Sequence, residues 1–263
     1  MAPITQILLL SLRVSIEAEE VANEAVTMLR EQKSIRHFRW SMILQEDNKL
    51  CIFVDWDEKS ALDKYLQSDA YQQLLQFMNS QTTEPTTSHS VAFDPYGTAV
   101  LDNKGGHGTS PVAEVLYMYF GGVQNEFEDF QDTATTTVQQ FLQKIGQTAT
   151  GMTGESSIGW MLDEVAYKGE MCRTCVLVVG WQSVESQLQF LASEDFKSAL
   201  PIIASMQGFR AITIEYGVFL FAFFITGADA RSGGERRMVL EVMSQIAGKI
   251  SEAQYPASRL WDL

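Results

Sequence analysis

The stretch VDWDEKSALDKYLQSDAYQQLLQF, beginning at Val54, returns farther along the chain as VGWQSVESQLQFLASEDFKSALPI. The two align without a gap: Trp56 to Trp181 is 125 residues, and Ser68 to Ser193 is the same 125. In that register Val54, Leu66 and Leu75 meet Val179, Leu191 and Leu200, while Tyr65 and Tyr71 meet Phe190 and Phe196. Nearly every charge differs between the copies. A repeat that keeps apolar spacing and small polar punctuation, and lets its charges drift, copies a fold rather than a reaction.

The order of elements around each copy follows from pattern. Ile4 to Leu12 reads as a strand. Ser15 is placed to cap a helix whose first turn is rich in glutamate, with Ala18, Val21, Ala22, Ala25, Met28 and Leu29 on one apolar face. IRHFRWSMIL puts Phe38, Trp40, Met42 and Leu44 on one parity and His37, Arg39 and Ser41 on the other, the mark of a strand with two unlike faces. After the QEDNK turn, LCIFVDW returns as a third strand, followed by a helix in two pieces broken at Ser68 and a fourth strand at His89 to Phe93. The second half repeats this: VAEVLYMYF, a helix over Asn125 to Ile145, the hairpin SIGWMLDEVAY/CVLVVGW, a two-piece helix and FRAITIEYGVFLF. Trp160 to Trp181 spans 21 residues against 16 for Trp40 to Trp56, so the second hairpin is expected to be five longer.

Each half therefore reads β-α-β-β-α-β, the ferredoxin-like order. Such a sheet covers one face with its own helices and leaves the other apolar, so that face must be buried. The economical solution is an α+β chain whose two repeats pack sheet to sheet as an internal pseudo-dimeric barrel. The expected boundaries are residues 1–95 for the first repeat, 96–111 for a Gly-rich linker (GGHGTSP) and 112–226 for the second repeat. Residues 227–263 read as a C-terminal helical extension.

With VDW-x11-SDAY and VGW-x11-SEDF in hand, the chain resembles the dimeric α+β barrel superfamily, most closely its antibiotic-biosynthesis-monooxygenase-like branch. The resemblance covers roughly residues 4–93 and 112–220, and tandem forms look like those of fungal secondary metabolism. It implies active sites between helices and sheet, and a family range that runs from cofactor-free oxygenases of phenols and quinols to haem-degrading enzymes, non-redox cyclases and isomerases, and stress-related proteins. Haem-degrading relatives ligate iron through a helix histidine. Here His37 and His89 fall on strands and His107 in the linker, so the sequence departs from that pattern.

Composition narrows the partners. A net charge of −14 disfavours nucleic acid and anionic membrane surfaces. Three cysteines make no disulfide framework, and Cys172-x-x-Cys175 lies in a strand rather than at a helix start, where a redox CxxC belongs. No signal peptide is legible at the N-terminus, and VFLFAFFI (Val218 to Ile225) is far short of the ~20 residues of a membrane helix. The expectation is a cytoplasmic protein acting on a small molecule, an internal pseudo-dimer with room for further self-association. Metal-ligand spacings and nucleotide motifs do not occur, so neither a metal nor a cofactor is expected.

For chemistry, His37 is the candidate general base and Arg39, on the same strand face, the cation that steadies an enolate or phenolate. Against this stands the plainer reading that both point to solvent. Asp55 joins them because Gly180 replaces it in the second copy, an asymmetry that fits a functional half, with an acidic strand end at the surface as the equal alternative. Trp40, His89, Tyr117, Tyr119 and Trp160 are candidate walls for a flat substrate, with core packing the ordinary alternative. Trp56 and Trp181, kept in both copies, read as structural. The expected activity is cofactor-independent acid/base activation of a polyketide-like or aromatic substrate in a helix–sheet pocket, of monooxygenase type. A non-redox cyclase, isomerase or dehydratase is the alternative, and a non-catalytic ligand-binding barrel the third reading.

Overall fold

The structure, a computed structural model, describes residues 3–95, 99–101, 110–122, 127–217 and 219–222. Most of the expected linker, with His107, and the expected C-terminal extension lie outside the described residues. The first unit runs β1 (Ile4–Ser11), α1 (Ala18–Leu29), β2 (Ile35–Met42), β3 (Lys49–Trp56), α2 (Lys59–Leu66), α3 (Asp69–Gln81) and β4 (Thr87–Asp94). A single 3-10 turn, Ala99–Leu101, precedes the second unit. That unit runs β5 (Val112–Gly121), α4 (Phe127–Gly146), β6 (Met152–Met161), β7 (Val165–Tyr167), β8 (Glu170–Trp181), α5 (Val184–Leu191), α6 (Glu194–Ala204), β9 (Phe209–Gly217) and β10 (Leu220–Ala222).

Local chemistry explains the repeated motif. Ser68 and Ser193 accept the backbone N–H of Tyr71 and Phe196 and so start α3 and α6. Trp56 packs on Tyr65 and Tyr65 on Tyr71, at centroid distances of 5.0 and 5.4 Å. Trp181, Phe190 and Phe196 repeat the stack at 5.7 and 5.5 Å. The recurring sentence is thus a strand-to-helix corner built on three rings. Burial of each such ring contributes about 1.5–3 kcal/mol. Helix α1 differs from expectation at its start: Glu17 occupies the N-cap and makes no side-chain cap, while Ser15 lies in the turn closed by Ile16 N–H on Arg13 C=O.

Within each unit the strands lie in ferredoxin-like order, β2-β3-β1-β4 and β6-β8-β5-β9, all antiparallel. The units do more than face each other: they share one continuous sheet. Strand β4 pairs with β1 through its first part and with β6 through its second, Val91 to Asp94 opposite Met161 to Ile158. At the other end β10 pairs with β2, and Leu44 N–H donates to Tyr216 C=O at 2.9 Å. Gln45 bridges the same seam, donating to Ile214 C=O and accepting from Tyr216 N–H. The sheet closes on itself, which removes the exposed edges of each unit.

Three cores follow from strand alternation. One lies between the first unit's sheet and helices, around Phe38, Trp40, Leu74 and Trp56; a second lies in the equivalent layer of the other unit, around Phe120, Val138, Trp160 and Trp181. The third fills the barrel interior with residues of both units: Ile7, Phe53, Val91, Val115, Val176, and Val100 and Leu101 of the turn between them.

The ladder also corrects the hairpin count. Met42 lies opposite Leu50 and Trp160 opposite Cys175, so the second hairpin is 7 residues longer, not five. Trp40, opposite Ile52, corresponds to Ile158 rather than to Trp160. The added residues form β7 and a two-residue turn in which Lys168 and Gly169 have φ of 47° and 85°, the left-handed pair of a type I′ hairpin. Cys172 and Cys175 point to opposite faces of β8, and all three cysteines are free and buried.

Candidate functional site

Strand parity divides the predicted site residues between two places. Trp40 and Trp160 face the helix layers; Trp160 donates its indole N–H to Thr135 on α4 at 2.9 Å. His37, Arg39 and Asp55 lie on the opposite parity, toward the barrel interior, as do His89, Tyr117 and Tyr119. The expected gathering in one helix–sheet pocket does not occur, because successive residues of a strand point to opposite faces.

His37, Arg39 and Asp55 do come together. Asp55, fully buried at the end of β3, accepts from Thr5 Oγ1 at 2.6 Å through one oxygen. Through the other it accepts from Arg39 Nη1 at 2.5 Å and lies 3.2 Å from His37 Nδ1. Burial works to raise the Asp55 pKa, but the His37 contact, the Arg39 charge and the Thr5 hydroxyl outweigh it and hold the carboxyl below its ordinary value. Arg39 is completely buried and committed to Asp55, whereas a third of the His37 side chain (34%) is exposed. The reading that both point to solvent fails for Arg39. Its guanidinium is the counter-ion of Asp55. His89 is half-buried opposite Ile7; burial lowers its pKa against the opposing pull of Asp163.

The second unit lacks this cluster and holds another. Since Ile4 faces Trp56 and Val112 faces Trp181, Thr5, Gln6 and Asp55 correspond to Ala113, Glu114 and Gly180. A Cβ at Gly180 would collide with the side-chain oxygens of Ser110 and Thr153, which occupy the space. Glu114 points the other way, into the helix layer, and is buried there. Its carboxylate accepts from Trp181 Nε1 at 2.8 Å and from Gln187 Nε2 of α5 at 2.8 Å; the same amide reaches Tyr216 Oη at 2.9 Å. Burial pushes the Glu114 pKa up to about 7, against the two hydrogen bonds that favour the anion. A buried carboxyl with its pKa near neutrality, beside Trp181, which in turn packs on Phe190, is equipped to take or give a proton.

Glu114 was missed in the sequence although a signal was present. It is the one charged residue of VAEVLYMYF and shares parity with Val112, Leu116 and Met118, all helix-facing. Trp181, read as purely structural, turns out also to hold this carboxylate. Tyr117 and Tyr119 line a different region near Glu215, which pairs with Lys49 at 2.8 Å; Tyr119 stacks on Tyr167 at 4.4 Å. Among the described residues no group of three or more His, Cys, Asp or Glu is placed to hold a metal ion, and no helix is long and apolar enough to cross a membrane.

No protein-family model and no curated protein matches the sequence. Solved structures do. A structure described as an anthrone oxidase-like protein is 14% identical, covers 88% of this chain and 98% of its own, and superposes with a TM-score of 0.59. A share of 88% of the chain takes in residues of both units. The chain shares that structure's fold, two ferredoxin-like α+β units in tandem. A candidate monooxygenase from Lactobacillus acidophilus NCFM agrees, at 10% identity, 85% of this chain, 97% of its own and a TM-score of 0.52. SnoaB, a cofactor-independent oxygenase from Streptomyces nogalater, aligns at 12% identity over 34% of the barrel and 91% of its own length; its TM-score of 0.31 carries no weight alone. At such identities the likeness is one of fold, and the side chains must speak for the chemistry.

Proposed function

We propose that this tandem barrel is an enzyme of monooxygenase type that works without a bound cofactor on a small aromatic or polyketide-like substrate. Its site lies in the helix–sheet layer of the second unit, with Glu114 as the general base. The observation that carries the reading is the buried Glu114 carboxyl, held by Trp181 and Gln187 in the layer between helices and sheet. Glu114 removes a proton from an activated methylene, and the resulting carbanion gives its electrons to O₂. One oxygen atom stays as a carbonyl and the other leaves as water with the two hydrogens. Exclusion of water from the layer protects the anion from reprotonation. The anthrone oxidase-like and monooxygenase neighbours agree with this class.

Anthrone is a suitable probe, incubated with the full chain in air and under argon. Oxygen-dependent conversion that falls at least ~100-fold in Glu114→Gln supports the reading. Turnover of a carbon acid unchanged under argon points instead to a cyclase or isomerase, and saturable binding without turnover to a ligand-binding barrel.

A second assignment of the base is favoured by one contact, His37 Nδ1 to Asp55 Oδ2 at 3.2 Å, since a buried carboxylate that fixes one ring nitrogen orients the other. Loss of conversion in His37→Gln with full activity in Glu114→Gln selects it. The same proposal has the enzyme act in the cytoplasm on a small molecule, without nucleic-acid or membrane partners, in line with the charge of −14.

A further inference from the structure

Glu114 is one member of a trio. The side-chain amide nitrogen of Gln187 on α5 donates to Glu114 Oε1 at 2.8 Å and to Tyr216 Oη at 2.9 Å. Gln187 is fully buried, and its amide oxygen meets no hydrogen-bond partner among the described residues. Stability alone does not call for an amide at this place. In the first unit Leu62, 125 residues earlier, fills it as part of the apolar core.

The other two members change with it. Glu114 and Tyr216 stand opposite each other on β5 and β9, as Gln6 and Ser90 do on β1 and β4. Where the carboxylate is absent, the helix amide and the phenol are absent too.

Tyr216 is held from outside its own unit. Its C=O accepts from Leu44 N–H at 2.9 Å, and its N–H donates to Gln45 Oε1 at 2.9 Å; both partners belong to the first unit. These backbone groups turn away from β5, so Glu114 and Tyr216 form the closely spaced, non-hydrogen-bonded kind of antiparallel pair. The phenol that orients the amide is thus fixed in place by the other unit's chain.

We infer that Gln187 is the positioning residue of the Glu114 base, and that the first unit completes this site by anchoring Tyr216 through Leu44 and Gln45. The inference rests on Glu114 being the base of the proposed reaction. An N–H aimed at a carboxylate favours the anion, so its loss makes Glu114 harder to deprotonate. Among the described residues, Tyr216 is the other titratable group that faces this trio. The charged side chains of α5 and α6 (Glu185, Glu194, Asp195 and Lys197) and Lys144 of α4 are exposed, and Glu215 points to the barrel interior.

Infrared difference spectra of the full chain, recorded against pH, test this. Ordinary carboxyls are charged at neutrality, so an acid band that titrates near pH 7 and is missing from Glu114→Gln reports Glu114. Its midpoint is expected to rise by about 1–2 pH units in Gln187→Leu, and equally in Gln187→Met, which keeps the length of the side chain. Tyr216→Phe and Gln45→Ala are expected to move it the same way by less, on the order of 0.5 unit. An unchanged midpoint in both Gln187 variants overturns the positioning role, since packing alone then accounts for the residue. A midpoint that moves in Tyr216→Phe and stays in Gln45→Ala overturns the part given to the first unit. With anthrone as substrate, the acidic limb of the pH–rate profile is expected to rise with the infrared midpoint. Midpoints that move as stated in a chain that leaves anthrone unconverted sustain the positioning of Glu114 and remove only the proposed reaction.

Discussion

Glu114 and Asp55 show how two buried carboxyls in one chain acquire opposite properties. Glu114 receives only neutral donors, so burial dominates and its pKa rises from 4.5 to about 7. The folded state then binds the proton more tightly than the unfolded chain. Its contribution is complete below pH 4.5 and is lost as pH rises through 7, on the order of 3 kcal/mol in all. Urea unfolding from pH 4.5 to 8 is expected to show that decline in the wild type and a flatter profile in Glu114→Gln. Asp55 is held below 3.8 by His37, Arg39 and Thr5 in spite of burial, so its contribution is present above 3.8 and disappears as pH falls through the folded value. Asp55→Asn leaves Arg39 buried without its counter-ion and is expected to cost about 3–5 kcal/mol. The double replacement Arg39→Met/Asp55→Leu is expected to recover most of that loss, as a double-mutant cycle on unfolding free energies checks.

Among the elements, the two-piece helices are the part most legible in advance. The break read at Ser68, and its repeat at Ser193, has a simple local cause: a small hydroxyl residue one step before a helical apolar pattern accepts an orphan N–H. Ser68→Ala and Ser193→Ala are each expected to lower stability by about 1 kcal/mol, additively, which denaturant titration of the double variant measures. Strands were legible as strands, and the parities of Phe38 and Trp40 against His37 and Arg39 were correct. Which parity met helices and which met the barrel was not. Alternation tells the faces apart but carries no label for what each face meets, and a residue as polar as Arg39 is fully buried once Asp55 stands opposite.

Seen whole, the molecule is held by its seams. Gly159 on β6 lies where β4 crosses from one unit to the other, and a Cβ there would strike the side chains of Val91 and Phe93 and the carbonyl of Ala92. Gly159→Val is expected to destabilise the barrel by about 1–3 kcal/mol. The interior core draws on both units and Leu44 ties β2 to β9. The wild type should therefore unfold in a single transition, with fluorescence and far-UV circular dichroism superimposable. Two separated transitions in the wild type would contradict a shared core.

The sequence by itself determined the duplication, the β-α-β-β-α-β order and the Trp–aromatic–aromatic corners, because each rests on local periodicity and a constant offset of 125 residues. It also singled out His37, Arg39 and Asp55 by their failure to repeat. Only the tertiary structure decided that these three face the interior, that Arg39 neutralises Asp55, and that Glu114 is buried against Trp181 and Gln187 with its pKa pushed up to about 7. The physical reason is that the environment of a charge is set by residues distant in sequence: Asp55 meets Thr5, and Glu114 meets Trp181 and Gln187, only after the strands have paired.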